Sequence, residues 1–227
     1  IFNVAIRTIQ LHQGKAVYGV GGGITWNSTW ESEYREVHQK AAVLYRKQAR
    51  FKLISTGKIS QKNLLFEDQH LERLTKASRY FAFPFDPKKL RQKIEEECQV
   101  CDDNQDYRLR IITSKSGEIE LSRQILTPLS PKFCQAKLCL QEADLQQAFT
   151  YFKTTHRPHL SLGKQEIIYH NAAGELLETS IGNLVLKING KLYTPPIGQG
   201  ILPGIYRQHL LETGQVEEKV LTLADLN

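Results

Sequence analysis

The chain has 227 residues, 41% of them apolar and 24% charged, with a net charge of +6 and a pI near 9.1; that balance excludes disorder and allows one large or two small domains with a buried core. The 30 Lys and Arg residues are scattered and form no block of five or six, which argues against a nucleic-acid partner and leaves solvated faces, with some cations free to attract an anionic substrate. No apolar run approaches the roughly 18–20 residues of a membrane span, and no charged-then-apolar leader precedes a cleavage site, so a soluble cytoplasmic protein is expected.

Along the chain, residues 1–26 alternate and carry turn glycines at Gly14 and Gly19–Gly23, which predicts a hairpin ending in a glycine-rich loop. From Thr29 to about Ala49 the period becomes helical, with Tyr34, Val37, Ala41 and Leu44 three or four residues apart. A strand FKLIST and a shorter one, NLLFE, follow. Around Asp68 a second helix begins, its apolar row of Leu71, Leu74, Ala77, Tyr80 and Phe81 ending before Pro84. Asp86-Pro87 predicts a third helix, with the aspartate as N-cap and the proline in the first turn. YRLRIIT returns to strand, ahead of a linker-like LTPLSPKF.

The second half reads as strand-rich: EIIYHN and ELLET flank a short turn, and NLVLKI-NG-KLYT is a hairpin of the Asn-Gly kind. PPIGQGILPG then leads into a helix, IYRQHLLETG, closed by Gly214. At the end, Thr222 and Asp225 are spaced as an N-cap and its partner. The chain contains no methionine, so Ile1 is not a translational start and a piece of a longer or processed protein is expected. Cys98 and Cys101 form a CxxC, with Cys134 and Cys139 downstream, but the second pair has four intervening residues and no glycine-bearing knuckle. The reading is four reduced thiols rather than a zinc site.

Residues 178–207, ETSIGNLVLKINGKLYTPPIGQGILPGIYR, resemble the signature of the class IV aminotransferase-type enzymes, which bind pyridoxal phosphate. Glu178, Asn183, Leu192–Thr194 and Leu202–Arg207 fit the pattern, and Val185 departs from it by replacing an aromatic ring. The resemblance implies an α/β (α+β) chain with the two-domain fold of that family. Glu178 would keep the ring nitrogen protonated, and the segment Leu202, Gly204, Ile205, Tyr206 would receive the phosphate at a helix N-terminus. Lys153, in YFKTTHRP and 25 residues before Glu178, stands where the family carries its Schiff-base lysine. A lysine suits that role once neighbours lower its pKa, because the neutral amine can then add to a carbonyl. HLERL, residues 70–74, resembles the family's phosphate segment and makes Arg73 a phosphate ligand. Thr155, His156 and Arg157 are candidates to orient the lysine or meet a substrate carboxylate, or equally to cap a strand end.

KTTHR, HLERL with SRYFAFPFD, and LTPL together resemble the aminodeoxychorismate lyase branch of that family. Upstream, FNVAIRTI and GVGGGITWNSTWESEYREVHQKA resemble the last segment of an aminodeoxychorismate or anthranilate synthase domain. There the glycine-rich turn receives a substrate carboxylate and an ExxE meets magnesium, which maps onto Arg7, Gly21–Gly23, Glu33 and Glu36. A helix puts the two carboxylates on one face. The other magnesium ligand of that domain is missing, so no synthase activity is expected. The glycines do not form a dinucleotide fingerprint, since no GxGxxG opens a helix after a strand.

The resemblance implies a synthase remnant over 1–47, the small α/β domain of a lyase over 48–147, and a cofactor-binding domain over 148–227 that stops before the family's last phosphate-site loop. The implied reaction converts 4-amino-4-deoxychorismate to 4-aminobenzoate and pyruvate, on the route to folate. The implied partners are this small-molecule substrate, a second copy in a homodimer and a glutamine amidotransferase for the parent protein, with no nucleic acid and no membrane. A D- or branched-chain amino-acid aminotransferase using the same lysine and glutamate, and a fragment that catalyses nothing, remain the alternatives.

Overall fold

The computed structural model describes residues 8–45, 49–127, 135–141, 148–160 and 165–226, and the chain divides into two compact units, Ile1–Ala49 and Arg50–Asn227. The boundaries expected at 47/48 and 147/148, Arg7, Cys134 and most of LTPLSPKF lie outside the described residues.

In the first unit, strands β1 (Ile9–His12) and β2 (Lys15–Tyr18) pair antiparallel. Gln13 and Gly14 between them have φ of 48° and 74°, the positive pair that a two-residue hairpin turn of right-handed twist requires. Helix α1 (Trp30–Tyr45) starts where Thr29 caps it: the Thr29 hydroxyl accepts from the Ser32 N–H at 3.3 Å. Its expected apolar row forms a helix without a covering layer inside this unit. No α1 residue is buried, and Tyr34 is 61% exposed.

The second unit opens with a four-stranded antiparallel sheet ordered β4-β3-β5-β6, from β3 (Leu53–Ser60), β4 (Asn63–Leu64), β5 (Tyr107–Thr113) and β6 (Ile119–Ile125). Period-two alternation puts Leu109 and Ile111 inside and Arg108 and Arg110 outside. Helices α2 (Glu67–Phe81) and α3 (Pro87–Gln99) bring Leu71, Leu74, Leu90 and Ile94 into one core with Leu53, Ile59, Leu109, Ile111 and Ile119. Helix α2 stops before Pro84 is reached. Ala82 takes a left-handed φ of 54°, and the Phe83 N–H returns to the Ser78 carbonyl at 2.9 Å, which satisfies a carbonyl of the last turn. Asp86 caps α3 as expected, accepting from the Lys88 and Lys89 N–H groups at 2.9 and 3.3 Å.

Next come β7 (Ala136–Leu140) and a one-turn helix, α4 (Ala148–Tyr151), neither of which the sequence pattern suggested. Strand β7 runs parallel to β8 (Glu166–His170), and β8 runs antiparallel to β9 (Leu176–Thr179). Leu176 and Leu177 belong to two different small cores, so β9 is buried on both faces and takes its next residue, Glu178, inside with it. Hairpin β10 (Leu186–Ile188) and β11 (Lys191–Thr194) turns at Asn189-Gly190, with φ of 49° and 84°, as the Asn-Gly signal predicts. Helix α5 (Ile205–Glu212) ends before Gly214, at φ 67°, and β12 (Glu217–Glu218) lies parallel to β11. The Thr222–Asp225 pair closes a short 3-10 turn, the carboxylate accepting from the Thr222 N–H at 2.7 Å and its hydroxyl at 3.0 Å.

Cys98 and Cys101 are buried in the core beneath the sheet, and Cys139 is exposed on β7; all three are free thiols. Among the described residues no cluster of three His, Cys, Asp or Glu side chains could hold a metal ion, and no helix is long and apolar enough to cross a membrane.

Candidate active site

Lys153 is fixed through its backbone. Its carbonyl accepts from the Ile54 N–H at 3.0 Å, and Thr154 bridges Leu53, so the stretch after α4 adds a short antiparallel pairing to β3. The aromatic residue before it wedges the segment in place: the Phe152 ring lies 4.7 Å from Tyr80 and 5.3 Å from Phe81, beside a cluster of Phe51, Phe81 and Phe149. Of the two readings the sequence left open for Thr155 and His156, their contacts are those of the strand-end one. The Thr155 hydroxyl accepts from the Lys52 N–H at 2.8 Å, and the His156 ring packs edge-on against Phe149 at 4.9 Å. Neither lines the cavity into which Lys153 opens; of the trio only Arg157 does.

That cavity has a volume of about 610 Å3, in the range of small-molecule sites. Lys153, Glu178, Arg73, Leu202, Gly204, Ile205 and Tyr206, the residues expected to hold a cofactor, all line it. They come from separate elements: Arg73 from α2, Glu178 from β9, Ile205 and Tyr206 from the start of α5. Glu178 is 1% exposed, and its Oε1 receives the Arg157 guanidinium at 3.1 Å while its Oε2 accepts the Leu202 N–H at 3.4 Å. Burial pushes the Glu178 carboxyl above the usual carboxylate range, against the pull of Arg157, the Leu202 N–H and Lys153. A further cation against this oxygen pair would favour the ionised form, which is what a protonated ring nitrogen supplies.

Burial, then the positive charges of Arg73 and Arg157, lower the Lys153 amine from 10.5 to about 8; the Glu178 carboxylate acts in the opposite direction. A substantial fraction of the amine is thus neutral near pH 8 and can act as a nucleophile. Arg73 donates to the Pro203 carbonyl, which braces the loop that opens α5. At that helix start Gly204 carries no side-chain cap, so the first N–H groups of α5 are open to an anion. Gly204 is required by close approach: a Cβ there would lie 1.9 Å from the Asn183 Oδ1. Asn183 is itself tied down, its Nδ2 donating to the Leu202 carbonyl at 2.8 Å.

Two further residues complete the site. His70 is 3% exposed, pairs its Nδ1 with the Ser55 hydroxyl at 2.7 Å, and is pushed down to about 4 by burial and then by the positive Arg73 and Lys153. It stays neutral at physiological pH. Its Nε2 would lie 2.6 Å from a Cβ at position 57, which is why β3 carries Gly57 beside it. The signal was its place three residues before Arg73, on the same face of α2. Arg207 is buried and donates to the Pro195 carbonyl and Glu218, each at 2.6 Å. The Nε atoms of Arg157 and Arg207 are buried without a partner among the described residues, and both side chains line the cavity. Orphaned donors, an uncapped helix start, a buried carboxylate and an amine of lowered pKa fit an anionic, nitrogen-containing cofactor such as pyridoxal phosphate.

Glu33 and Glu36 sit in the other unit. Both carboxylates converge on Gly22, where a Cβ would meet Glu33 Oε2 at 3.0 Å and Glu36 Oε1 at 3.3 Å. Glu33 accepts from the Ser28 hydroxyl at 2.6 Å and Glu36 from Lys40.

Residues 52–227 match the family model of amino-transferase class IV, and residues 1–46 match that of chorismate binding enzymes. The chain is 26% identical over 181 residues to the aminodeoxychorismate lyase of Saccharomyces cerevisiae; the match takes in 56% of this chain and 48% of the yeast enzyme, about half its length. A Mesorhizobium loti protein assigned as an amino-acid aminotransferase shares its architecture with a TM-score of 0.66 and 27% identity, over 78% of this chain and 89% of that one. A Haemophilus somnus protein assigned as a 4-amino-4-deoxychorismate lyase does so with a TM-score of 0.62 and 23% identity, over 79% and 92%. With a match over most of its length and an α/β architecture shared with solved members, the chain belongs to the amino-transferase class IV family.

Proposed function

We propose that this chain carries a pyridoxal-phosphate-dependent lyase that converts 4-amino-4-deoxychorismate to 4-aminobenzoate and pyruvate, within a fused aminodeoxychorismate synthase/lyase. The observation that supports it is one cavity enclosing Lys153, Glu178, Arg73 and the open start of α5, in a chain whose residues 1–46 match chorismate binding enzymes. Lys153 would hold the cofactor's carbonyl carbon, Glu178 its ring nitrogen, and the N–H groups of Ile205 and Tyr206 with Arg73 its phosphate. When bound, the cofactor supplies an electron sink conjugated to the amine-bearing carbon of the substrate.

The chain's own groups do the rest. The neutral Lys153 amine would take the proton from the amine-bearing carbon. An ionised Glu178 would keep a proton on the ring nitrogen, and Arg157 draws Glu178 toward that ionised form against its burial. Cleavage of the enolpyruvyl C–O bond expels enolpyruvate, which gains a proton in place of the one Lys153 removed and becomes pyruvate; the ring left behind is aromatic, which makes the step hard to reverse. The yeast relative's name and the chorismate-binding match favour this reading over a D- or branched-chain aminotransferase. The folate route, a homodimer and a glutamine amidotransferase partner belong to the same proposal, and Glu33 and Glu36 would serve magnesium only in a complete synthase portion.

The test is to supply the purified chain with pyridoxal phosphate and aminodeoxychorismate and to follow pyruvate with no oxo acid present. Pyruvate and 4-aminobenzoate in equal amounts are expected. Turnover that requires an oxo-acid acceptor would favour the aminotransferase.

A further inference from the structure

Strands β3 and β5 pair in a register that sets Thr56 opposite Arg110 and Lys58 opposite Arg108. Directly opposed residues share a sheet face, so these four side chains lie on one side, and Gly57 and Leu109 lie on the other with the helices. Thr56 and Lys58 line the cavity, and Arg110 stands one strand away, directly opposite Thr56. Every other ion-pairing side chain on this patch is engaged. Lys58 pairs with Asp106 at 2.6 Å, Lys52 with Glu120 at 2.6 Å, and Arg108 donates to Gln124. Arg110 is exposed, faces Ser122 on β6, and has no hydrogen bond or ion pair among the described residues. Its field is nevertheless felt at Lys153, more weakly than those of Arg73 and Arg157.

We propose that Arg110 binds the ring carboxylate of the substrate, the one that remains in the aromatic product. The inference rests on the lyase reading above, under which the substrate amine is held at Lys153. The ring carboxylate, para to that amine, then projects to the far side of the ring, whereas the enolpyruvyl carboxylate stays beside the amine. A cation on the same sheet face as the cavity-lining Thr56, within electrostatic range of Lys153 but beyond its nearest charges, meets the far carboxylate. The planar guanidinium offers it two parallel N–H donors. Arg110 thereby acts on specificity: it selects a 4-amino ring acid over amines without a distal carboxylate.

Equilibrium binding of 4-aminobenzoate and of the neutral 4-aminobenzamide to the cofactor-loaded wild type, R110Q and R110K tests this without turnover, with thermal melting as the check on folding. R110Q is expected to bind 4-aminobenzoate at least about tenfold more weakly, as loss of a charge-assisted pair implies, with 4-aminobenzamide unchanged and R110K partly restored. In pyruvate release the same variant raises KM and leaves kcat within a few-fold. An unchanged affinity for 4-aminobenzoate in R110Q, an equal loss for both ligands, or no 4-aminobenzoate binding by the wild type overturns the assignment. If the wild type binds 4-aminobenzoate through Arg110 but releases no pyruvate, the lyase reading fails and the carboxylate site stands.

Discussion

Replacing Lys153 with methionine should stabilise the cofactor-free protein while removing its chemistry. The amine is enclosed with Arg73 and Arg157 nearby, and its drop from 10.5 to about 8 corresponds to about 3 kcal/mol by which the folded state disfavours the charged form. Methionine keeps the length of the side chain and carries no charge to desolvate. We expect Lys153→Met to raise the unfolding free energy at pH 7 by about 2–3 kcal/mol, measured by urea denaturation. The pH dependence fixes the cause. Between pH 8 and 10.5 the native state binds fewer protons at this lysine than the unfolded chain, so wild-type stability rises through that window, and the variant's does not. The advantage of the variant is therefore full at pH 7 and fades as pH approaches 10.5. The His70 imidazole, held near 4 partly by Lys153, should titrate higher in the variant, as read by NMR. A variant no more stable than wild type at pH 7, or a difference that does not change with pH, would refute the reasoning.

Arg157→Gln leaves Glu178 buried with only the long Leu202 contact, and should cost about 3 kcal/mol at pH 8 by chemical denaturation. Because burial already holds the Glu178 carboxyl high and losing Arg157 moves it higher, the penalty shrinks as pH falls and Glu178 takes up a proton; a penalty that grows toward acid would contradict the pairing. Gly204→Ala drives a Cβ into Asn183 and should destabilise the protein by about 1–3 kcal/mol and weaken pyridoxal phosphate binding at least tenfold in a spectral titration. Asp86→Ala removes the α3 cap, which does not line the cavity, and should lower stability by about 1 kcal/mol with cofactor affinity unchanged.

Much of the architecture follows from local signals. The Asn189-Gly190 turn, the Asp86-Pro87 cap and the alternation of YRLRIIT each specify their element through backbone sterics or a single hydrogen bond, and each is where the pattern put it. Strand β7 and helix α4 were not legible, because β7 is held by its parallel partner β8 rather than by alternation, and four residues are too few to show a helical period. The site divides in the same way. The family resemblance pointed to Lys153, Glu178 and Arg73, but not to which residues near Lys153 face the cavity. That depends on the Lys52–Thr155 pairing, a contact across 103 residues that turns Thr155 and His156 away and leaves Arg157 on Glu178. His70 was hidden for a related reason. Its role comes from Ser55 and Gly57 on a neighbouring strand, and a lone histidine on an apolar helix face carries no such information.

The central claim is that Lys153 is the nucleophile that holds the cofactor. Borohydride reduction of the chain mixed with pyridoxal phosphate, followed by peptide mapping, tests it directly. The predicted result is one reduced pyridoxyl adduct, on Lys153, formed faster as pH rises through about 8. Labelling scattered over the exposed lysines, or a single adduct elsewhere, would contradict the account.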